Sequence, residues 1–199
     1  DDYDKDGLTS RDEIYIYAWE HGCLNPADAD SDGDGINDGD EISSVSILGP
    51  TDENVSLPCN PDTDSDGIDD GYESKHACMK SGLADSVKDA DGDGLTNLQE
   101  YKGEGIVGAW NVRSNPCLAD SDGDGLNDPS DTDNCVMTWN PEQANHDDDP
   151  LGDACDTDDD NDNCPDDGDY DPLHADPTMD CYKAPYSTRL MMGLIDPIW

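Results

Sequence analysis

Asp30-Ser31-Asp32-Gly33-Asp34-Gly35-Ile36-Asn37-Asp38-Gly39-Asp40-Glu41 is the stretch that decides how the rest of the chain is read. Acids stand at positions 1, 3, 5, 9 and 12 of this block, Gly at 6 and an aliphatic residue at 7. The pattern recurs upstream at Asp2, Asp4, Asp6, Gly7, Leu8, Ser10 and Glu13. Downstream it returns as Asp62, Asp64, Asp66, Gly67, Ile68, Asp70 and Glu73, and as Asp89, Asp91, Asp93, Gly94, Leu95, Asn97 and Glu100. A fifth copy holds Asp120, Asp122, Asp124, Gly125, Leu126 and Asp128, and ends on Asp131 where the others have Glu. Two weaker copies follow. One is Asn145, Asp147, Asp149, Leu151, Asp153 and Asp156, with Pro150 in the Gly slot; the other is Asp158, Asp160, Asp162, Cys164, Asp166 and Asp169, with Asn163 there. Asp167 to Asp176 is too degenerate to count as an eighth.

The spacing carries chemistry. A hard divalent cation such as Ca²⁺ takes six to eight oxygens. Carboxylates at positions 1, 3 and 5 point inward from one curled backbone, Gly at 6 permits the sharp turn, and position 7 contributes its carbonyl. Position 9 is expected to supply an oxygen directly or through water, and Glu at 12 to close the shell with both of its oxygens. Leu8, Ile36, Ile68, Leu95, Leu126, Leu151 and Cys164 are therefore ligand positions through their backbone. The side chains of Leu8, Ile36, Ile68, Leu95 and Leu126 are expected to face small apolar clusters. A solvated acidic tract would not place Gly, an aliphatic and Glu at fixed offsets. Mg²⁺ fits less well because it demands octahedral geometry with fewer protein ligands. Zinc fits less well again, since the Cys lack close pairing.

Composition agrees. The 199 residues hold 51 acids against 9 bases, for a net charge of −42, with 33% hydrophobic residues and no Phe. Such a chain would be disordered without help. About seven bound divalent ions would offset about a third of the charge. Eight Cys, an even number, point to disulfides and an oxidising, extracellular or cell-surface setting. Phosphate backbones and anionic membranes would be repelled, so neither nucleic acid nor membrane insertion is expected.

The first loops start about 27 to 32 residues apart, and the last two only 13. Residues 1–114 thus read as spaced EF-hand-like loops with connecting segments, 115–181 as tandem repeats, and 182–199 as a distinct apolar C-terminal segment. Ile14 to Glu20 is the best helix candidate, ending near Gly22; Ile42 to Leu48 is β-branched and ambiguous. Asn25-Pro26, Asn60-Pro61 and Asn115-Pro116 are turn signals before loops.

Asp133-Asn134-Cys135, Asn140-Pro141-Glu142-Gln143 and Gly152-Asp153-Ala154-Cys155-Asp156 together resemble a thrombospondin type 3 repeat, and Asn60 to Gly67 resembles the bacterial relatives of that repeat. The resemblance spans roughly residues 1 to 176 and is densest from 115 to 169. It implies a mostly irregular, calcium-stabilised repeat array with short helices, little conventional hydrophobic core and disulfide links. Pro150, Asn163 and the long spacers before residue 115 depart from the family pattern. Sequence leaves the Cys connectivity open; the expected set is sequential, Cys23 with Cys59, Cys78 with Cys117, Cys135 with Cys155 and Cys164 with Cys181.

The functional expectation is a non-enzymatic, elongated structural protein: a spacer, stalk or filament subunit stiffened by calcium. The alternative is a calcium-dependent adhesion module with a protein or glycan ligand. A dockerin-like accessory piece fits poorly, because that architecture uses a pair of loops. His21, His76, His146 and His174 have no nucleophile or base arranged nearby. Asn54-Val55-Ser56 is a glycosylation sequon. Trp19, Trp110, Trp139 and Trp199 are expected to cover hydrophobic patches between loops. The apolar run Leu190 to Trp199 is a candidate docking strand for a homopolymer.

Overall fold

A computed structural model of the chain describes residues 1–14, 23–49, 52–104, 112–129, 133–169, 171–175 and 181. The chain divides into two compact units. One comprises Asp1–Glu104 with Asn115–Ala119, and the other Gly105–Ser114 with Asp120–Trp199. The described residues are mostly irregular, with four short helices, no β-strand and a single antiparallel bridge between Leu57 and Asn60. None of these helices is long and apolar enough to cross a membrane.

The helices belong to the loops. α1 (Ser10–Asp12), α2 (Asp38–Leu48), α3 (Asp70–Glu73) and α4 (Asn97–Lys102) each begin at position 9 of a block. The residue before each, Thr9, Asn37, Asp69 or Thr96, is its N-cap. Three of these caps accept a backbone N–H two or three residues into the helix, a satisfaction that terminal amides need. Thr96 and Gln99 complete a reciprocal capping box. Position 12 thus falls in the first helical turn, and its Glu reaches back over the loop that precedes it.

Ile42 to Leu48 resolves as helix within α2. Its β-branched residues are poor helix formers, but Asp38, Asp40 and Glu41 load the first turn with negative charge where the helix dipole favours it. Burial of Ile42 anchors one face while Ile47 stays exposed. The helix expected over Ile14 to Glu20 lies largely outside the described residues, as do Trp19, Trp110, His21, Asp131 and the apolar segment Leu190 to Trp199.

Little apolar material is buried. Ile68 and Leu95 are buried as expected of position 7, whereas Leu8, Ile36 and Leu126 are only half-buried. Trp139 is 65% exposed rather than covering a patch, and Met137 beside it is exposed as well. Polar and charged residues outnumber apolar ones among the buried positions, Glu13, Asp38, Glu41, Asp70 and Asn97 being fully buried. The four disulfides are the sequential set, Cys23–Cys59, Cys78–Cys117, Cys135–Cys155 and Cys164–Cys181, with no free cysteine. Closing loops of 17 to 39 residues, each removes unfolded-state entropy of order ~3–4 kcal/mol.

Candidate metal centres

Each loop is curled by its own carboxylates. In loop two, Asp30 accepts the N–H of Gly33 at 2.8 Å with one oxygen and that of Gly35 at 3.0 Å with the other. Asp32 accepts from Asp34, and Asp34 accepts from Ile36 at 2.7 Å. The same ladder runs from Asp62 to Ile68, from Asp89 to Leu95 and from Asp120 to Leu126. It requires left-handed backbone at position 6, where Gly7, Gly35, Gly67, Gly94 and Gly125 all have φ near +100°. Position 4 is left-handed too, a requirement the motif does not announce: Lys5, Ser65, Asp148 and Asn161 adopt it without being glycine. Asn163 takes the Gly role in loop seven with φ +73°, as Asn tolerates.

Except at Asp4, whose two oxygens are both buried without a partner, the inner carboxylates of loops one to five spend one oxygen on this ladder. The second is buried and has no protein partner at Asp6, Asp64, Asp93 and Asp122. Asp2, Asp4 and Asp6 present oxygens within 4.8 Å of one another, as do Asp30, Asp32 and Asp34. Over them stand Glu13, Glu41 and Glu73, buried to within 1%, with both oxygens of each unpartnered. Glu100 is fully buried in the corresponding place of loop four. Burial and the loop carboxylates push Glu41 and Glu73 up to about 9 and Glu13 to about 7. Burial, with the neighbouring acids adding to it, raises Asp32, Asp64 and Asp70 to about 6. A divalent cation would supply the charge such a set of carboxylate oxygens lacks, and hard oxygen donors of this kind suit Ca²⁺.

Position 9, expected to supply an oxygen directly or through water, also makes a clasp within its own loop. Asp38 accepts the Ser31 amide at 2.9 Å and the Ser31 hydroxyl at 2.6 Å, clasping position 2. Asp70 holds Thr63 in this way and Asp128 holds Ser121. Asn97 accepts from Ala90, and in the weaker loops Asp153 clasps His146 while Asp166 accepts from Asp159. Asp38 also comes within 4.8 Å of Asp6 and Glu13 in the preceding loop, and Asp70 does the same at Asp34 and Glu41.

The second unit keeps the ladder in loops six and seven. Asn145 accepts from Asp148, Asp147 from Asp149, Asp149 from Leu151, Asp158 from Asn163, Asp160 from Asp162, and Asp162 from Cys164. Asp162, Cys164 and Asp169 cluster, but the Cys164 sulfur is committed to its disulfide, so only its carbonyl would be available to a metal. Asp156 turns one oxygen to the amides of Thr157 and Asp158.

Three acids outside the block positions thought to bind metal join these clusters. Asp133, 1% exposed, keeps one buried unpartnered oxygen and adds its charge near Asp122. Asp85, 2% exposed, lies in range of Glu73 and Asp66. Asp159, raised to about 6 by burial and by Asp166, Asp153 and Asp156, approaches loop six from loop seven. All three lie at positions the twelve-residue template leaves free.

The remaining sequence candidates stay apart from the loops' inner oxygens. His76 pairs with the Tyr72 carbonyl and stacks on the Tyr72 ring, and exposed His174 contacts Asp171. Asn54 is exposed, donating to Asp52 and accepting from Lys80, while Val55 and Ser56 of its sequon are buried. No protein-family model matches the chain, and no curated protein sequence matches it closely enough to count as a relative.

Proposed function

We propose that the chain is a calcium-stabilised extracellular structural protein of thrombospondin type 3-like repeats, binding Ca²⁺ in its Asp-rich loops. The observation that carries the reading is the set of fully buried Glu13, Glu41 and Glu73 carboxylates, facing inward-turned Asp oxygens with no protein donor for either oxygen. An uncompensated buried charge costs roughly 3–5 kcal/mol. A few of them would cancel the ~5–15 kcal/mol that a domain has to offer. A bound dication turns that penalty into the main source of order, replacing the apolar core that the composition cannot supply.

Calcium on this reading supplies rigidity, and the repeats form a spacer, stalk or filament subunit. The disulfides support an oxidising extracellular location. The test is calorimetric titration of chelator-stripped protein with Ca²⁺, combined with circular dichroism and hydrodynamic radius. Saturable uptake of about seven ions, with contraction of the chain, is the expected result. An identical radius and spectrum in excess chelator and in millimolar Ca²⁺ would refute it.

A further inference from the structure

In the first unit the position-9 residue of one repeat is also a neighbour of the repeat before it. Asp38 of loop two is fully buried, and its oxygens meet those of Asp6 and Glu13 within 4.8 Å. Asp70 of loop three repeats this at Asp34 and Glu41. The backbone seats both contacts. Gly39 and Gly71, at position 10, lie so close to the carbonyls of Asp6 and Asp34 that a Cβ on either would overlap them.

Loop four breaks the pattern in an informative way. Its position 9 is Asn97, which carries no charge. Asn97 is buried and donates to the carbonyl and the carboxylate of Asp85, at 3.1 and 3.3 Å. Asp66 of loop three in turn accepts the amides of Asp85 and Ser86, both at 2.8 Å. A spacer carboxylate is thus held against loop three, where loops one and two receive a position-9 carboxylate. Lys88, half-exposed, lies 3.9 Å from Asp85, and Lys80 also acts on its charge.

We propose that the ion of each of the first three loops takes a carboxylate from the chain that follows: Asp38 for loop one, Asp70 for loop two and Asp85 for loop three. This rests on the calcium reading above and assigns it a direction. Each carboxylate oxygen has two lone pairs, so an aspartate clasped by a hydroxyl or an amide still has one to give a metal. Glu13, Glu41 and Glu73, buried with both oxygens unpartnered, face the same clusters, so each added carboxylate joins a set of oxygens that the protein leaves without a donor. Occupancy of one loop and folding of the repeat that follows it then stabilise each other.

The test follows the amide resonances of Gly7, Gly35, Gly67 and Gly94 by heteronuclear NMR while the full-length chain is titrated with Ca²⁺. Asp85→Asn should raise the midpoint at Gly67 by about tenfold, in the range of ordinary site-to-site coupling, with Gly94 moving less than about twofold. Asp38→Asn should shift Gly7 more than Gly35, although Asp38 belongs to the loop that holds Gly35. An unmoved Gly67 in Asp85→Asn, or equal shifts at all four glycines, would overturn the proposal. Asp70→Asn, read at Gly35, replaces Asp85→Asn if that variant does not fold. Unsaturable, featureless titration of all four glycines in the unmodified chain would instead remove the calcium reading itself, and the proposal with it.

Discussion

Glu73 has 1% of its surface exposed and four loop or spacer acids around it, so its charge is unwelcome unless a cation arrives. That gives Glu73→Gln opposite effects in two solutions. In chelator, the neutral isostere relieves repulsion and should raise the denaturation midpoint. In Ca²⁺ it removes a charged ligand and should weaken uptake at loop three on the order of tenfold, since ligand charge count tunes affinity. Paired urea melts with and without Ca²⁺ read both signs. The pH dependence follows from the same residues. Glu41 and Glu73 are raised to about 9 in the folded chain from an ordinary value near 4.5. A raised pKa means the folded state holds its proton longer, so the stabilisation is complete below about pH 4.5 and is lost as pH climbs towards 9. Metal-free protein should therefore lose order between those limits, while Ca²⁺ affinity should rise because protons no longer compete. Circular dichroism against pH, with and without chelator, checks it; order that increases with pH in chelator would contradict the assignment.

Within a repeat, the loop and the helix that leaves it are one element, because position 8 caps what position 9 begins. Gly71→Ala shows how context overrides propensity. Alanine favours a helix over glycine by about 1 kcal/mol, and Gly71 is the second residue of α3. Here the added methyl would overlap the Asp34 carbonyl, a backbone atom that cannot swing away. We expect a net loss of about 2 kcal/mol or more in a thermal melt, the usual range for overpacking. Gly67→Ala should cost about 1–2 kcal/mol for a separate reason, its φ of +98°. The periodic part of all this was legible in the sequence. Positions 1, 3, 5 and 12 are set by residue type and offset, and the backbone curl expected of them is present in loops one to five. Spacing assigns position 9 a direct or water-mediated oxygen but says nothing of the neighbouring repeat; Asp38 and Asp70 clasp their own loop and also face the preceding one. Asp85, Asp133 and Asp159 were not legible because packing between repeats, not spacing within one, brings them to a cluster. The Ile42 to Leu48 helix was ambiguous because the acidic first turn that starts it outweighs the propensity of its β-branched interior.

At the scale of the whole molecule, the net charge of −42 and the disulfides act on the unfolded chain in opposite directions. Charge drives expansion, and the cross-links, spanning 17 to 39 residues, limit it. Chelator alone should therefore swell the protein only in part, and reductant added with chelator should release the rest. Monovalent salt separates the two contributions. The Debye length falls from about 10 Å at 0.1 M to about 3 Å at 1 M, which screens repulsion between exposed acids but hardly reaches a buried ligand cage. The metal-free, reduced chain should thus contract markedly as NaCl rises over that range, while the Ca²⁺-loaded, oxidised chain keeps its radius. Small-angle scattering across the four combinations of metal and redox state measures this directly. If the loaded chain contracts with salt as much as the stripped one, its acids are still free in solvent, and ions are not what orders the loops.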